Sequence, residues 1–475
     1  MIEYGSIPMG LNLLFRFHGS PILRTLPLCC VGVGLYAGFI AIGIKETYFN
    51  KATVAHPYVL SVILASYSFM IIFRCNFSYG RYWEAWGHVF QMHSKMLDAA
   101  TTSAAFHYQQ TSRYELPRCL SSRGASWDID GEEFSRRVKE RRGRTAGEVK
   151  QQRFDDISRY TLDREPTVRY INQRPESPMR DTIAPVFPSP FLQELAHLYS
   201  LLSAVALSTL RCDADIAPMP LSRHVLGEGT KTWPPVDPEA LMRDGNCWTL
   251  AYIFGCNRTE RARVLYNAER PLGVITGVGR KEAAALARVK GNSAAVAVAH
   301  LWVQEFVARE FTSGGAFGGV APPIVSRIFQ YNSDCMLGYN QARKVATCPF
   351  PFPHAQLSTY FGAIAVIDVA VLVSSYVNHS YVGAPLVFLT LMALLGLQEV
   401  AREMERPFRN TPNDVPIVTL QAQFNEALLG MYVGYHPDSR AWWDEEEEEQ
   451  MVEEVTIQKS VKLGKGLKAR LPIDV

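Results

Sequence analysis

Four apolar runs, arranged as two tight hairpins near opposite ends of the chain, constrain the fold more than any other feature. Thr25–Ile44 is twenty residues without a charge. At ~1.5 Å rise per residue it reaches ~30 Å, the thickness of a bilayer core. A second uncharged run, Pro57–Phe73, follows after the short connection Lys45–His56. Near the other end, Tyr360–Tyr376 is apolar except for Asp368, and Val382–Leu397 is apolar throughout. Only Val377–Tyr381 separates these two. One such run would suit a buried helix of a soluble protein. Two matched hairpins instead predict a multi-pass protein of the lipid bilayer, with spans at 25–44, 57–74, 358–376 and 382–398. The first run starts too late and is too long for a cleaved leader.

Charge then sets the topology. Arg16 and Arg24 flank the first span, and Arg74 and Arg81 follow the second. Arg343 and Lys344 precede the third, and Arg402 and Arg406 follow the fourth. All lie on the side of the long middle region, so the positive-inside rule places that region and both termini in the cytosol or its equivalent. Over the whole chain 48 basic residues face 46 acidic ones. That balance argues against a nucleic-acid partner, which calls for a strong basic excess. Nine cysteines without a CxxC or zinc-type spacing read as reduced and structural.

The segments divide the chain. Residues 1–106 hold the N-terminal segment and first hairpin. Residues 107–190 read as a charged insertion, with 16 basic and 12 acidic residues between 111 and 180 and no apolar periodicity, and are expected to be disordered. Residues 191–348 read as a helical cytosolic domain. Leu192, Leu195, Leu198, Tyr199, Leu202, Val205 and Leu210 give its first helix one apolar face. Arg280–Phe311 reads as further helix ending at Gly314-Gly315, and Pro322-Pro323 opens the next, to about Lys344. Residues 349–435 hold the second hairpin and a following helix. Residues 436–475 form a tail with an acidic run at Glu445–Glu449 and a basic stretch at Lys459–Arg470.

Catalytic signatures are missing. The chain has no GxSxG, no HExxH and no GxxxxGK[ST], and the glycines near Lys281 lack phosphate-loop spacing. No catalytic residue, metal ligand set or cofactor is expected. The features that ask for a function lie in the spans. Ala65, Phe69 and Phe73 recur at i, i+4 and i+8, one face of a helix. By themselves they either pack against the other spans or line a pore. Asp368 leaves two readings as well: a functional intramembrane carboxylate, or a neutral or paired one at a helix–helix contact.

Two stretches carry a family resemblance. Phe73-Arg74-Cys75-Asn76-Phe77-Ser78-Tyr79-Gly80-Arg81-Tyr82-Trp83-Glu84 resembles the bestrophin pattern F-R-x-N-x-x-Y-x-R-W-W-E, with Tyr82 in place of its first Trp. Gly396 through Glu405-Arg406-Pro407-Phe408 to Asn413-Asp414-Val415-Pro416 is similar to that family's E-x-P-F-x-x-x-x-N-D-x-P. Pro349–Gln356 is similar too. The resemblance covers both hairpins and the 301–356 helices, and it omits the insertion and the tail.

It implies an all-α membrane protein, a pentameric channel with four transmembrane helices per subunit plus a helical cytosolic domain. It further implies passive conduction of chloride and other small anions, bicarbonate among them, through a neck lined by Ala65, Phe69 and Phe73. A ring of Phe gates by dewetting, and phenyl edges, the positive side of the ring quadrupole, tolerate an anion better than a cation. Some bacterial relatives pass cations, so the fold alone does not set the sign. The resemblance also implies a second constriction before Gly314-Gly315, near Trp302 with Glu305 one turn on. Animal members hold calcium with an amide before Pro-Phe and aspartates after it. Arg406 and Arg409 stand there here, and Glu403, Glu405 and Asp414 are expected to pair with those arginines. No calcium site is expected. The competing reading is a non-conducting membrane scaffold that recruits partners through the insertion and tail.

Overall fold

The computed structural model describes residues 20–42, 58–109, 189–212, 220–224, 271–289, 291–377, 379–409 and 413–432. The connection between the first two spans, nearly all of the expected insertion, and the tail lie outside the described residues. Four helices are long and apolar enough to cross a membrane. They are α1 (Ile22–Ala41), α2 (Tyr58–Tyr108), α7 (Phe352–Tyr376) and α8 (Ser380–Met404). Between and after them lie α3 (Pro190–Leu210), α4 (Arg280–Arg288), α5 (Asn292–Arg309), α6 (Pro322–Thr347) and α9 (Ile417–Tyr432).

The spans fall where the apolar runs predict, with shifted ends. α1 starts three residues before Thr25, taking in Arg24, because that guanidinium is paired with Glu403. α7 starts at Phe352 and α8 extends to Met404, each adding a turn or more at the end away from their hairpin turn. The larger surprise is α2. It does not stop at Arg74 but continues without a break to Tyr108, 51 residues in all. At ~1.5 Å per residue it is about 77 Å long, far more than a bilayer core requires. Its lower half packs against α6 so closely that a Cβ on Gly338 would lie 2.8 Å from the Met92 nitrogen.

The core outside the spans gathers around α3. Periodicity predicts one apolar face, yet every residue from Phe191 to Leu210 except Glu194 is buried. A helix surrounded on all sides must satisfy its polar groups internally. Ser200 and Ser203 do so through side-chain hydrogen bonds to α9. Two short strands that periodicity did not reveal, β1 (Leu221–Arg223) and β2 (Leu272–Val274), pair in parallel, Leu221 opposite Leu272. The single helix expected over 280–311 is two. Gly291, at φ 105°, turns the chain between α4 and α5, a conformation glycine adopts without strain. After α5 a π-helical turn, Glu310–Gly314, ends at Gly315 with φ 70°.

Candidate functional site

The outward sides of the spans carry exposed Leu28, Val31, Ile367, Leu386 and Leu389, apolar surface that a bilayer would cover. The chain is an integral, multi-pass membrane protein. Within that bundle α2 shows two distinct sides. Tyr67, Ile71, Arg74 and Ser78 turn inward and are buried. Ala65, Phe69 and Phe73 turn outward, Phe69 being 63% and Phe73 45% exposed. Neither phenylalanine belongs to the buried apolar clusters between the spans. Their rings meet each other edge to face, centroids 4.8 Å apart at 73°. The outward stripe continues at spacings of three and four through Asn76, Gly80, Trp83, Gly87 and Phe90 into the half of the helix beyond the apolar run. Nothing lies within 4 Å of where a Cβ on Gly80 or Gly87 would sit. Trp83 stands exposed and stacks on Tyr79, and Asn76 and Glu84 are exposed as well.

The rest of the two motif stretches meets at one place, where the spans join the helical domain formed by the middle of the chain. Arg74 is buried. Its Nε donates to Glu405 at 2.6 Å, its Nη1 to the Ser358 hydroxyl, and its guanidinium lies 5.5 Å from the Phe350 ring centroid. Arg81 reaches three carbonyls: Cys348 at 2.6 Å, Val345 at 3.0 Å and Glu405 at 3.3 Å. It thereby joins the end of α6 to the end of α8. The Tyr82 hydroxyl donates to the Asn413 carbonyl at 3.3 Å, a bond that the indole of the usual Trp would have to make through a nitrogen placed elsewhere. Pro407 and Phe408 are buried, and the Val415 N–H closes their loop on the Pro407 carbonyl at 2.9 Å.

Two acidic residues of this junction pair with arginines other than those the sequence suggests. Glu403 pairs with Arg24 and accepts from the Asn413 amide at 2.9 Å, and Glu405 pairs with Arg74. Both arginines come from the first hairpin. Arg406 is exposed, and Asp414 is buried, 3% exposed. Among the described residues no group of three or more His, Cys, Asp or Glu side chains is placed to hold a metal ion.

Two further expectations concern α5 and α7. On α5 both Trp302 and Glu305 are half-buried, and Glu305 lies 3.5 Å from Arg309. The large side chain that projects from that helix is Leu301, 54% exposed. Asp368 is 4% exposed, and neither carboxyl oxygen has a hydrogen-bond partner among the described residues.

Sequence reading missed the polar network beneath the stripe. His93 meets Ser203 at 2.9 Å, and the Ser203 hydroxyl donates to Gln421 at 2.6 Å. The hydroxyl proton being used, His93 must donate its Nε2–H to Ser203. Gln421 and Asn425 both donate to the Gly273 carbonyl, at 3.0 and 2.8 Å, tying α9 to β2. Burial pulls the His93 imidazole down to about 3 and also lowers that of His107. No spacing signals this network, because its members come from four elements far apart in sequence.

No family model matches the chain, and no curated protein matches it. Solved structures do. A bacterial bestrophin homolog from Klebsiella pneumoniae carrying a point mutation is similar at 11% identity over 86% of this chain and 99% of that one, with a TM-score of 0.48. A second crystal structure of the Klebsiella pneumoniae homolog is similar at 12% identity over 88% and 98%, with a TM-score of 0.44.

Proposed function

We propose that this chain is the subunit of a bestrophin-like channel that conducts small anions, chloride and bicarbonate among them, passively across its membrane. The observation that carries the reading is the outward stripe of α2. One unbroken helix presents Ala65, Phe69 and Phe73 at bilayer depth and continues far into the cytosolic domain, with those side chains unused by the fold of their own chain. Lipid would cover Phe69 and Phe73 equally well, but lipid gives no reason for the stripe to continue past the bilayer through Asn76, Gly80 and Gly87. An axis shared by several copies of α2 does. Five copies would close a dry aromatic neck whose ring edges face a passing ion, an arrangement that admits anions better than cations. The motif residues Arg74, Arg81, Tyr82, Glu405 and Asn413 would then hold the neck helix to the second hairpin. A scaffold has no use for such a stripe.

The test is purified protein in planar bilayers with asymmetric chloride, bicarbonate and sodium salts, alongside mass photometry in detergent. Reversal potentials that track the anion gradients, from a pentamer, are expected. Reversal at the sodium potential would overturn anion selection. Monomers or dimers without current would overturn the pore itself.

A further inference from the structure

α2 is 51 residues long, and Glu84 is its one exposed charged side chain without an ion pair among the described residues. Every other cation or anion on the helix is at least half-buried or turned aside. Arg74 is buried against Glu405, Arg81 is half-buried against three carbonyls, and Lys95 is paired with Asp98 at 2.8 Å. Glu84 has no ion pair, either to Arg81 one turn away or to any other described residue. Its position is fixed by helix geometry. Glu84 follows Phe73 by eleven residues, three turns at ~3.6 residues each, so the two point to nearly the same side. At ~1.5 Å per residue it lies about 16 Å beyond Phe73, past the bilayer and toward the cytosolic domain. Gly80 and Gly87, one turn before and one turn after, leave open space around it.

We propose that Glu84 sets the electrostatic potential of the vestibule on the cytosolic side of the neck, resting on the reading that α2 lines the pore. Copies of α2 around one axis bring their Glu84 carboxylates together as a negatively charged ring. A ring of one sign between low-dielectric walls concentrates cations and depletes anions. The aromatic neck admits anions, and the ring beneath it limits how many arrive. Glu84 is thus a specificity-determining residue that restrains anion flux, most strongly for anions entering from the cytosolic side. The restraint depends on ionic strength, because salt shortens the reach of exposed charges from about 10 Å at 0.1 M to about 3 Å at 1 M.

The experiment compares wild type, Glu84→Gln and Glu84→Lys in planar bilayers at 0.1 M and 1 M chloride, with mass photometry of each variant. At 0.1 M, Glu84→Gln should raise chloride conductance roughly two-fold or more, and Glu84→Lys further, with the larger gain for anions leaving the cytosolic side. At 1 M the three should converge. A conducting wild type whose conductance is unchanged in both variants at 0.1 M overturns this role while leaving the pore reading intact. A gain of equal size at both salt concentrations would mean that Glu84 acts by bulk or gating rather than by charge, and also overturns it. Breakdown of the oligomer in both variants would show that Glu84 holds subunits together instead. A silent wild type overturns the pore reading and this inference with it.

Discussion

Arg74 shows how much of this protein rests on single residues at the membrane boundary. It is buried beside Glu405, which is 8% exposed, and the two lie 331 residues apart in sequence. Arg74→Ala would leave the Glu405 carboxylate buried without its counter-charge, a loss of about 3–5 kcal/mol. Arg74→Lys should recover only part, since an ammonium lacks the planar fork that reaches Glu405 and Ser358 together. Thermal unfolding in detergent should rank wild type above Lys above Ala, and equal midpoints would remove the clamp from the account. His93 makes the fold acid-sensitive. Its folded value of about 3 lies below the unfolded ~6.5, so between those values the unfolded chain binds the extra proton. Stability is therefore full above pH 6.5 and falls as pH drops, by about 1.4 kcal/mol per unit. Midpoints measured from pH 8 to pH 5 should decline below 6.5, and His93→Gln should flatten that decline. Calcium should not matter. Glu403 and Glu405 are held by Arg24 and Arg74, and the fixed charges of Arg406 and Arg409 repel a divalent cation placed near Pro407. Currents should be equal in micromolar calcium and in chelator. A steep calcium dependence that Asp414→Ala abolishes would contradict this.

At the scale of elements, the sequence is most legible where one physical demand acts alone. Spans announce themselves because a charge inside a bilayer is expensive, so α1, α2, α7 and α8 follow the uncharged runs to within a few residues or extend beyond them. Ala65, Phe69 and Phe73 could be placed on one face because helical spacing is local. What could not be read involves compensation from afar. α1 includes Arg24 because Glu403 neutralises it, and α3 can be buried on every side because α9 accepts from its serine hydroxyls. The continuation of α2 past Arg74 is masked by its own composition. Arg81 and Glu84 interrupt the apolar pattern, although one bonds carbonyls and the other stands exposed. The proposed neck belongs to this scale, since it would be a property of the whole stripe. Phe69→Ala combined with Phe73→Ala removes both aromatic rings from a face that its own chain does not cover. The double variant should fold and assemble as wild type does, and its open probability should rise because the barrier to wetting is gone. Unchanged single-channel open times would place the neck on another helix.

For the whole molecule, the decisive contact is a small one between residues 107 and 189. His107 closes the half of α2 beyond the apolar run, and Ser189 caps α3, accepting from the Phe191 N–H at 3.2 Å. The His107 Nε2 and the Ser189 hydroxyl oxygen are 2.7 Å apart, while His107 Nδ1 meets the Ala316 carbonyl at 2.9 Å. The chain therefore leaves the described domain and re-enters it at one point, and residues 110–188 need bridge almost no distance. Closing a short loop between such neighbours costs little, since loop entropy grows only slowly with length. The 111–180 stretch also carries 28 charged residues, 16 basic and 12 acidic, too polar a composition to contribute a core. Replacing Gln109–Asp181 with a short Gly/Ser linker should accordingly leave assembly and conductance as they are. The joint itself must stay: Ser189→Ala removes both the cap and the partner of His107, and should cost about 1–2 kcal/mol in the full-length chain. Mass photometry and bilayer currents on the shortened protein decide the matter. A shortened chain that no longer forms the wild-type oligomer, while Ser189 and His107 are untouched, would show that residues 109–181 take part in assembly.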